Sequence, residues 1–151
     1  MTAERNILSD PQLRLAAAVF DVLIPREGNC PGAGEMGGAK RLNAAIAGRP
    51  EIRRLIVDAL EAIAAAAAGD FVTMENHVQT EILGVVESSD PHVFDELVKQ
   101  AYNVYYTDPD IRRLIGFTPE NPQPSGHPKP EPFDTSLLDG VRARNRAWRR
   151  V

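Results

Sequence analysis

Residues 23–39 read LIPREGNCPGAGEMGGA, and helical periodicity flanks them on both sides. Between Pro25 and Gly34 stand two prolines and three glycines, so a helix that enters this stretch must end in it. The chain is thereby held to separate helices that meet at a corner. Gly32, Gly34 and Gly37 also stand at the G-x-G-x-x-G spacing of a dinucleotide-binding turn. That turn needs a strand before it and an acid about twenty residues after it. What precedes it here has the period of a helix, so the glycines are expected to serve the corner by adopting positive φ.

Met1–Leu8 reads as a flexible arm, after which Ser9 and Gln12 form a capping box and Pro11 sits in a tolerated first-turn position. Leu13, Ala16, Ala17, Phe20, Leu23 and Ile24 give the following helix one apolar stripe, which Pro25 ends. A short helix over 35–47 should follow, carrying Met36, Leu42, Ala45 and Ile46. Pro50 and Glu51 open the next one; its buried face is Ile52, Leu55, Ile56, Ala59, Leu60 and Ile63. It should end at Gly69, after a run of alanines, 64–68, small enough for a neighbouring helix to approach closely.

Asp70 reads as the cap of a helix to about Glu87 with a stripe of Phe71, Met74, Val78, Ile82 and Val85. Asp90-Pro91 opens another, with Phe94, Leu97, Val98, Ala101 and Tyr105 inward. Asp108-Pro109 starts a single turn closed by Gly116. From Pro119 to Pro132 six of fourteen residues are proline, which implies an extended strap over 119–133. A basic helix over 134–151, capped by Asp134 or Ser136 and carrying Leu137, Leu138, Val141 and Trp148, completes the chain. Nothing alternates at strand period. The expected fold is all-α, a single domain over 1–151 built as an orthogonal bundle of five to six helices with a Pro-rich C-terminal strap.

A chain of 151 residues can bury a core without staples, and a lone Cys30 leaves no internal disulfide. The apolar run 13–23 is interrupted by Asp21 and followed by no cleavage site, so it does not read as a signal peptide. No stretch nears the ~20 apolar residues of a membrane span, and direct membrane insertion is not expected. The net charge of −4 conceals a division: residues 142–151 hold five arginines and no acid, leaving a net −9 on the remainder. An acidic body opposes nucleic-acid binding, although the arginines and Trp148 could engage phosphates and a base. Cations favoured at a helix C-terminus account for the same tail.

His77 with Glu81, and His92 with Glu96, stand one helical turn apart and could offer a metal two imidazoles and two carboxylates. Both pairs fall beside the apolar stripes, as expected of solvated faces. Cys30 has no histidine near it in sequence, and Ser125-Gly126-His127 lacks the context of a nucleophile elbow. No catalytic, cofactor-binding or metal residue is therefore assigned. Folding economy leaves the segment 102–148 unexplained. Tyr102 and Tyr106 lie beside the stripe that Tyr105 joins, and prolines hold Phe133 outside regular structure. Tyrosines and a pre-ordered proline segment lose little entropy on binding. Tyr102, Tyr106, Pro119, Pro124, Phe133 and Trp148 are the expected partner contacts.

The order of these motifs resembles a known family. LIPREGNCPGAGEMGG, then FVTMENHVQTEILGVVESSDPHVFDELVKQAYNVYYTDPDIRRLIGF, resemble the signature of gluconate 2-dehydrogenase subunit 3 proteins over about residues 10–117, with a fainter likeness at SLLDGVRARNRAWR. The resemblance implies a small non-catalytic helical subunit that helps a large FAD-dependent alcohol or sugar dehydrogenase of the glucose-methanol-choline type to mature, stay stable or be exported, in some complexes with a cytochrome c. No cofactor is expected in this chain, and FAD is expected in the partner. Many members begin with a twin-arginine signal that is not found before Leu13. The expected location is cytoplasmic, or periplasmic if an export signal was removed or is carried by the partner. A free-standing metal-binding bundle and a general helical scaffold are the alternative readings.

Overall fold

A computed structural model describes residues 7–117 and 134–143. The chain divides into two units, residues 1–118 and 119–151. The first holds α1 (Asp10–Leu23), α2 (Gly38–Ala45), α3 (Pro50–Ala67), α4 (Asn76–Ser89), α5 (Pro91–Tyr106) and α6 (Pro109–Leu114). Among the described residues there is no strand, and the fold is all-α.

The helices start where the sequence supplies caps. Ser9 and Gln12 close a complete capping box on α1. Prolines fill the first turns of α3, α5 and α6, where their missing N–H costs nothing. The Asp90 carboxylate accepts from Val93 N, and the Asp108 carboxylate from Asp110 N and Ile111 N.

α5 is the centre of the bundle and touches α1, α2, α3, α4 and α6. Val93, Phe94, Leu97, Ala101, Val104 and Tyr105 are buried along it, a stripe wide enough to face several neighbours. Gln100 is buried in the same stripe and donates to Glu96 at 2.6 Å, which satisfies an otherwise costly amide. α3 packs on α4 and α5 through Ile56, Ala59, Leu60 and Ile63. α1 contributes Ala16, Val19 and Phe20.

Several expectations are corrected. The arm does not stay free over its whole length: Leu8 is fully buried, and Ile7 N and Leu8 N both donate to the Asn43 side chain at 2.9 Å. The helix expected over 35–47 is shorter, because residues 33–37 are held in turns; Met36 is half-buried in the corner, and Ala45 is exposed. Asp70 caps only a 3-10 turn, Phe71–Thr73, and the chain is extended at Met74 before α4 begins. That break rotates the register, so Gln79, Leu83 and Val86 are buried while Val85 is 58% exposed. Gln79 faces inward because its Nε2 donates to Phe71 O at 2.8 Å, tying the turn to the helix.

The alanine run is not a close-contact seam, since only Ala67 of residues 64–68 is buried. Gly69 does not make the left-handed stop of α3 either; Ala68 does, at φ +49. In the second unit Asp134 caps a 3-10 turn, Thr135–Leu138, before the short α7 (Asp139–Ala143). The strap of 119–133, including Pro119, Pro124 and Phe133, and the segment 144–151 with Trp148 lie outside the described residues.

Candidate partner-docking surface

The corner holds its shape through α1. The Asp21 carboxylate, on the last turn of that helix, accepts from Gly34 N at 2.8 Å and Glu35 N at 3.1 Å. These are the amides that a phosphate would need, and they already serve the protein's own anion. Glu35 in turn accepts from Gly32 N at 3.3 Å and pairs with Arg26. The Arg26 guanidinium and the Gly32 amide hold the Glu35 carboxyl below its ordinary value.

The glycines work differently from the sequence expectation. Gly37 does take positive φ, at +83, but Gly34 is needed for close approach instead: a Cβ there would lie 2.0 Å from Ala17 O. Gly28, at φ +54, turns the chain so that Glu27 and Cys30 exchange backbone hydrogen bonds of 3.0 and 2.9 Å.

Tyr105 joins the corner to α5, donating its hydroxyl to Pro31 O at 2.9 Å across 74 residues of sequence. Burial pushes the Tyr105 phenol above its usual value, with smaller contributions from Cys30, Tyr106 and Glu27. Asp108 is buried at the start of α6 and pairs with Arg41 of α2. The corner, α2, the end of α5 and α6 are thus one tied assembly.

On this assembly lies an exposed apolar end. Tyr102 and Tyr106 are 44% and 45% exposed and stack at 5.9 Å with planes 8° apart. Tyr106 also meets Tyr105 edge-on at 5.0 Å. Leu114, Ile115 and Phe117 are each about half exposed, and the Arg112 guanidinium lies 4.4 Å from the Phe117 ring centre. A cavity of about 200 Å³, lined by Ile24, Pro25, Glu27, Cys30, Tyr105, Tyr106 and Ile115, opens beside the tyrosines.

Of the expected contacts, Tyr102 and Tyr106 are brought together at the surface, and the other four fall outside the described residues. Sequence reasoning did not find Cys30 or Ile115 beside Tyr106, nor Leu114 and Phe117 as exposed apolar side chains following it. The apolar pair flanking Gly116 was the available signal, since a chain leaving a helix at a surface has no folding reason to carry two large apolar side chains.

His77, Glu81 and His92 are exposed on their helices. His77 lies 3.3 Å from Glu75, and Glu96 pairs with Lys99 as well as Gln100. Among the described residues no group of three or more His, Cys, Asp or Glu side chains is placed to hold a metal. A broader groove of about 700 Å³ is lined by Arg14, Ala17, Ala18, Asp21 and Val22 of α1, by the turn at 70–73 and by Asn76 and Gln79 of α4. No described helix is long and apolar enough to cross a membrane.

Comparison with protein families matches residues 10–121 to the family described as gluconate 2-dehydrogenase subunit 3. The match takes in the corner, the whole bundle and the exposed apolar end. No curated protein and no solved structure matches the chain. With most of its length matched, the chain belongs to the gluconate 2-dehydrogenase subunit 3 family.

Proposed function

We propose that this family member is a non-catalytic small subunit that binds a large FAD-dependent alcohol or sugar dehydrogenase of the glucose-methanol-choline type and stabilises or matures it. The observation that carries the reading is the grouping of exposed large apolar side chains. Of the seven exposed large apolar side chains among the described residues of the first unit, five, Tyr102, Tyr106, Leu114, Ile115 and Phe117, fall between the end of α5 and residue 117, while Val72 and Val85 stand singly elsewhere. An isolated soluble bundle gains nothing from such a patch, whereas a partner that covers it gains aromatic contact area already held in place.

Hydride transfer is then the work of FAD in the partner, and this chain contributes binding free energy. A subunit that binds only the folded partner stabilises it by RT ln(1 + [L]/Kd), about 2.7 kcal/mol at a hundredfold excess over Kd. That is a large share of a typical domain's stability.

Co-expression with an FAD-dependent dehydrogenase of the glucose-methanol-choline type from the same genome tests the proposal. The expected outcome is a heteromer that survives gel filtration, a higher yield of flavin-loaded dehydrogenase than without the small chain, and no flavin on the small chain alone. A small chain that purifies alone with stoichiometric flavin and oxidises alcohols or sugars overturns it. Haem absorbance in the isolated complex reports whether a cytochrome c subunit joins.

A further inference from the structure

We propose that the cavity between the corner and the end of α5 is the anchor point of this surface: it receives one apolar side chain, aliphatic or aromatic, from the dehydrogenase. The anchor is flanked on the partner by a base that meets Glu27 and an acid that meets Arg112. This rests on the accessory-subunit reading and adds where and by what chemistry the partner is held.

The size and the lining suit a single anchor. About 200 Å³ is the scale of one large side chain, and Ile24, Pro25, Cys30, Tyr105, Tyr106 and Ile115 make the walls mostly apolar. Hot spots at interfaces are typically such pockets, filled by one side chain and ringed by contacts that exclude water.

The walls are also fixed in advance. The 27–30 turn is closed by two backbone hydrogen bonds, and Tyr105 is tethered to Pro31 O. Tyr106 is held between Tyr105 and Tyr102 by ring contacts. No wall has to be ordered when a ligand enters, so little of the binding free energy is lost to immobilisation.

Charge selects the flanks. Glu27 lines the cavity, and no cation pairs with it among the described residues. Arg112, one helical turn before Ile115, rests on the Phe117 ring with no carboxylate beside it among those residues. The neighbouring Arg26 and Arg113 are already paired, with Glu35 and Asp110. An apolar cavity with an open anion in its lining, and an open cation one helical turn from the Ile115 that also lines it, suits a segment that carries the opposite charges around its anchor.

The test uses the co-expressed heteromer and the free full-length chain. Cys30 is the sole cysteine, so carbamidomethylation by iodoacetamide, followed by mass spectrometry of this chain, reads the cavity alone. Labelling at least tenfold slower in the heteromer is expected. Ile115→Trp, which fills the mouth from a half-exposed position, and Glu27→Lys, which reverses one flank, should each raise Kd at least tenfold. Helical circular dichroism and melting of the free variants should stay as in the parent chain.

A heteromer in which Cys30 reacts at the free-chain rate and both variants bind normally overturns the anchor and leaves the accessory-subunit reading standing. Cys30 already as slow in the free monomer, or protected only as that chain dimerises, overturns the anchor as well, because the cavity is then filled from within or by a second copy. If no heteromer forms, both readings fall.

Discussion

Gly34→Ala is the substitution from which the corner has most to lose. An added Cβ would stand 2.0 Å from Ala17 O, 2.7 Å from Ala17 C and 2.6 Å from Asp21 Oδ2. Carbon to carbonyl-oxygen contacts settle at roughly 3.3–3.6 Å, so corner and helix must part by more than an ångström. Overpacking of this kind costs about 1–3 kcal/mol. The movement also pulls Gly34 N and Glu35 N from the Asp21 carboxylate. Because Asp21 is exposed, these bonds are worth the low end of the range for charged hydrogen bonds, about 1.5 kcal/mol each at most. The sum runs from about 1 kcal/mol, for overpacking alone, to about 6 kcal/mol with both bonds lost, or roughly 3–19 °C in Tm for a chain of this length. Urea unfolding followed at 222 nm measures it, with two controls. Gly37→Ala, in open space at φ +83, should cost only the left-handed strain of about 1–2 kcal/mol, and Gly48→Ala, also in open space, should be neutral or stabilising. A Gly34→Ala cost below 1 kcal/mol, or no greater than that of Gly37→Ala, refutes close approach as the reason for the glycine.

Asp108→Ala removes the cap of α6 and the partner of Arg41, and should cost about 2 kcal/mol by chemical denaturation, with Asp108→Asn recovering part of it. Ala68→Gly relieves the φ of +49 at the end of α3 and should add about 0.5–1 kcal/mol, read as a higher midpoint at unchanged m-value. Acid titration should show a contribution from Glu35. Its folded value is lowered, so the stabilisation is present above the ordinary 4.5 and is lost as pH falls through the folded value; Glu35→Gln should flatten that limb. Tyr105 has the opposite sign. Its folded value is raised above 10.0, so its contribution is complete below that pH and lost as pH rises through the folded value, and Tyr105→Phe should flatten the alkaline limb.

The helices and their caps were legible because each is a local matter. Ser9 with Gln12, Asp90 with Pro91 and Asp108 with Pro109 satisfy helix ends within a few residues, and the stripe of α5 is repeated often enough to fix its face. What was hidden depends on distant partners. Gln79 turns inward because of Phe71 O, and no pattern of apolar residues announces that a glutamine belongs in the stripe while Val85 does not. Gly34 is required by Ala17 O on α1, distant in sequence, so the composition of the corner revealed a turn without revealing why it is glycine there. Leu8 is held by Asn43, 35 residues away. At the candidate surface, Tyr102 and Tyr106 could be placed on the outer face of α5 by period alone. Cys30 joins them only through the contact of the corner with α5, which Tyr105 and Pro31 make, and Ile115 only through the packing of α6 on α5.

The central claim is that the end of the bundle from Tyr102 to Phe117 holds a flavin-dependent dehydrogenase. Calorimetric titration of the purified FAD-loaded dehydrogenase with the wild-type chain and with Tyr106→Ala tests it most directly. The account predicts binding by the wild-type chain and a loss of about 2 kcal/mol, near thirtyfold in Kd, for the variant at unchanged circular dichroism. Equal affinity of the two chains, or no heat of binding from either, would contradict it.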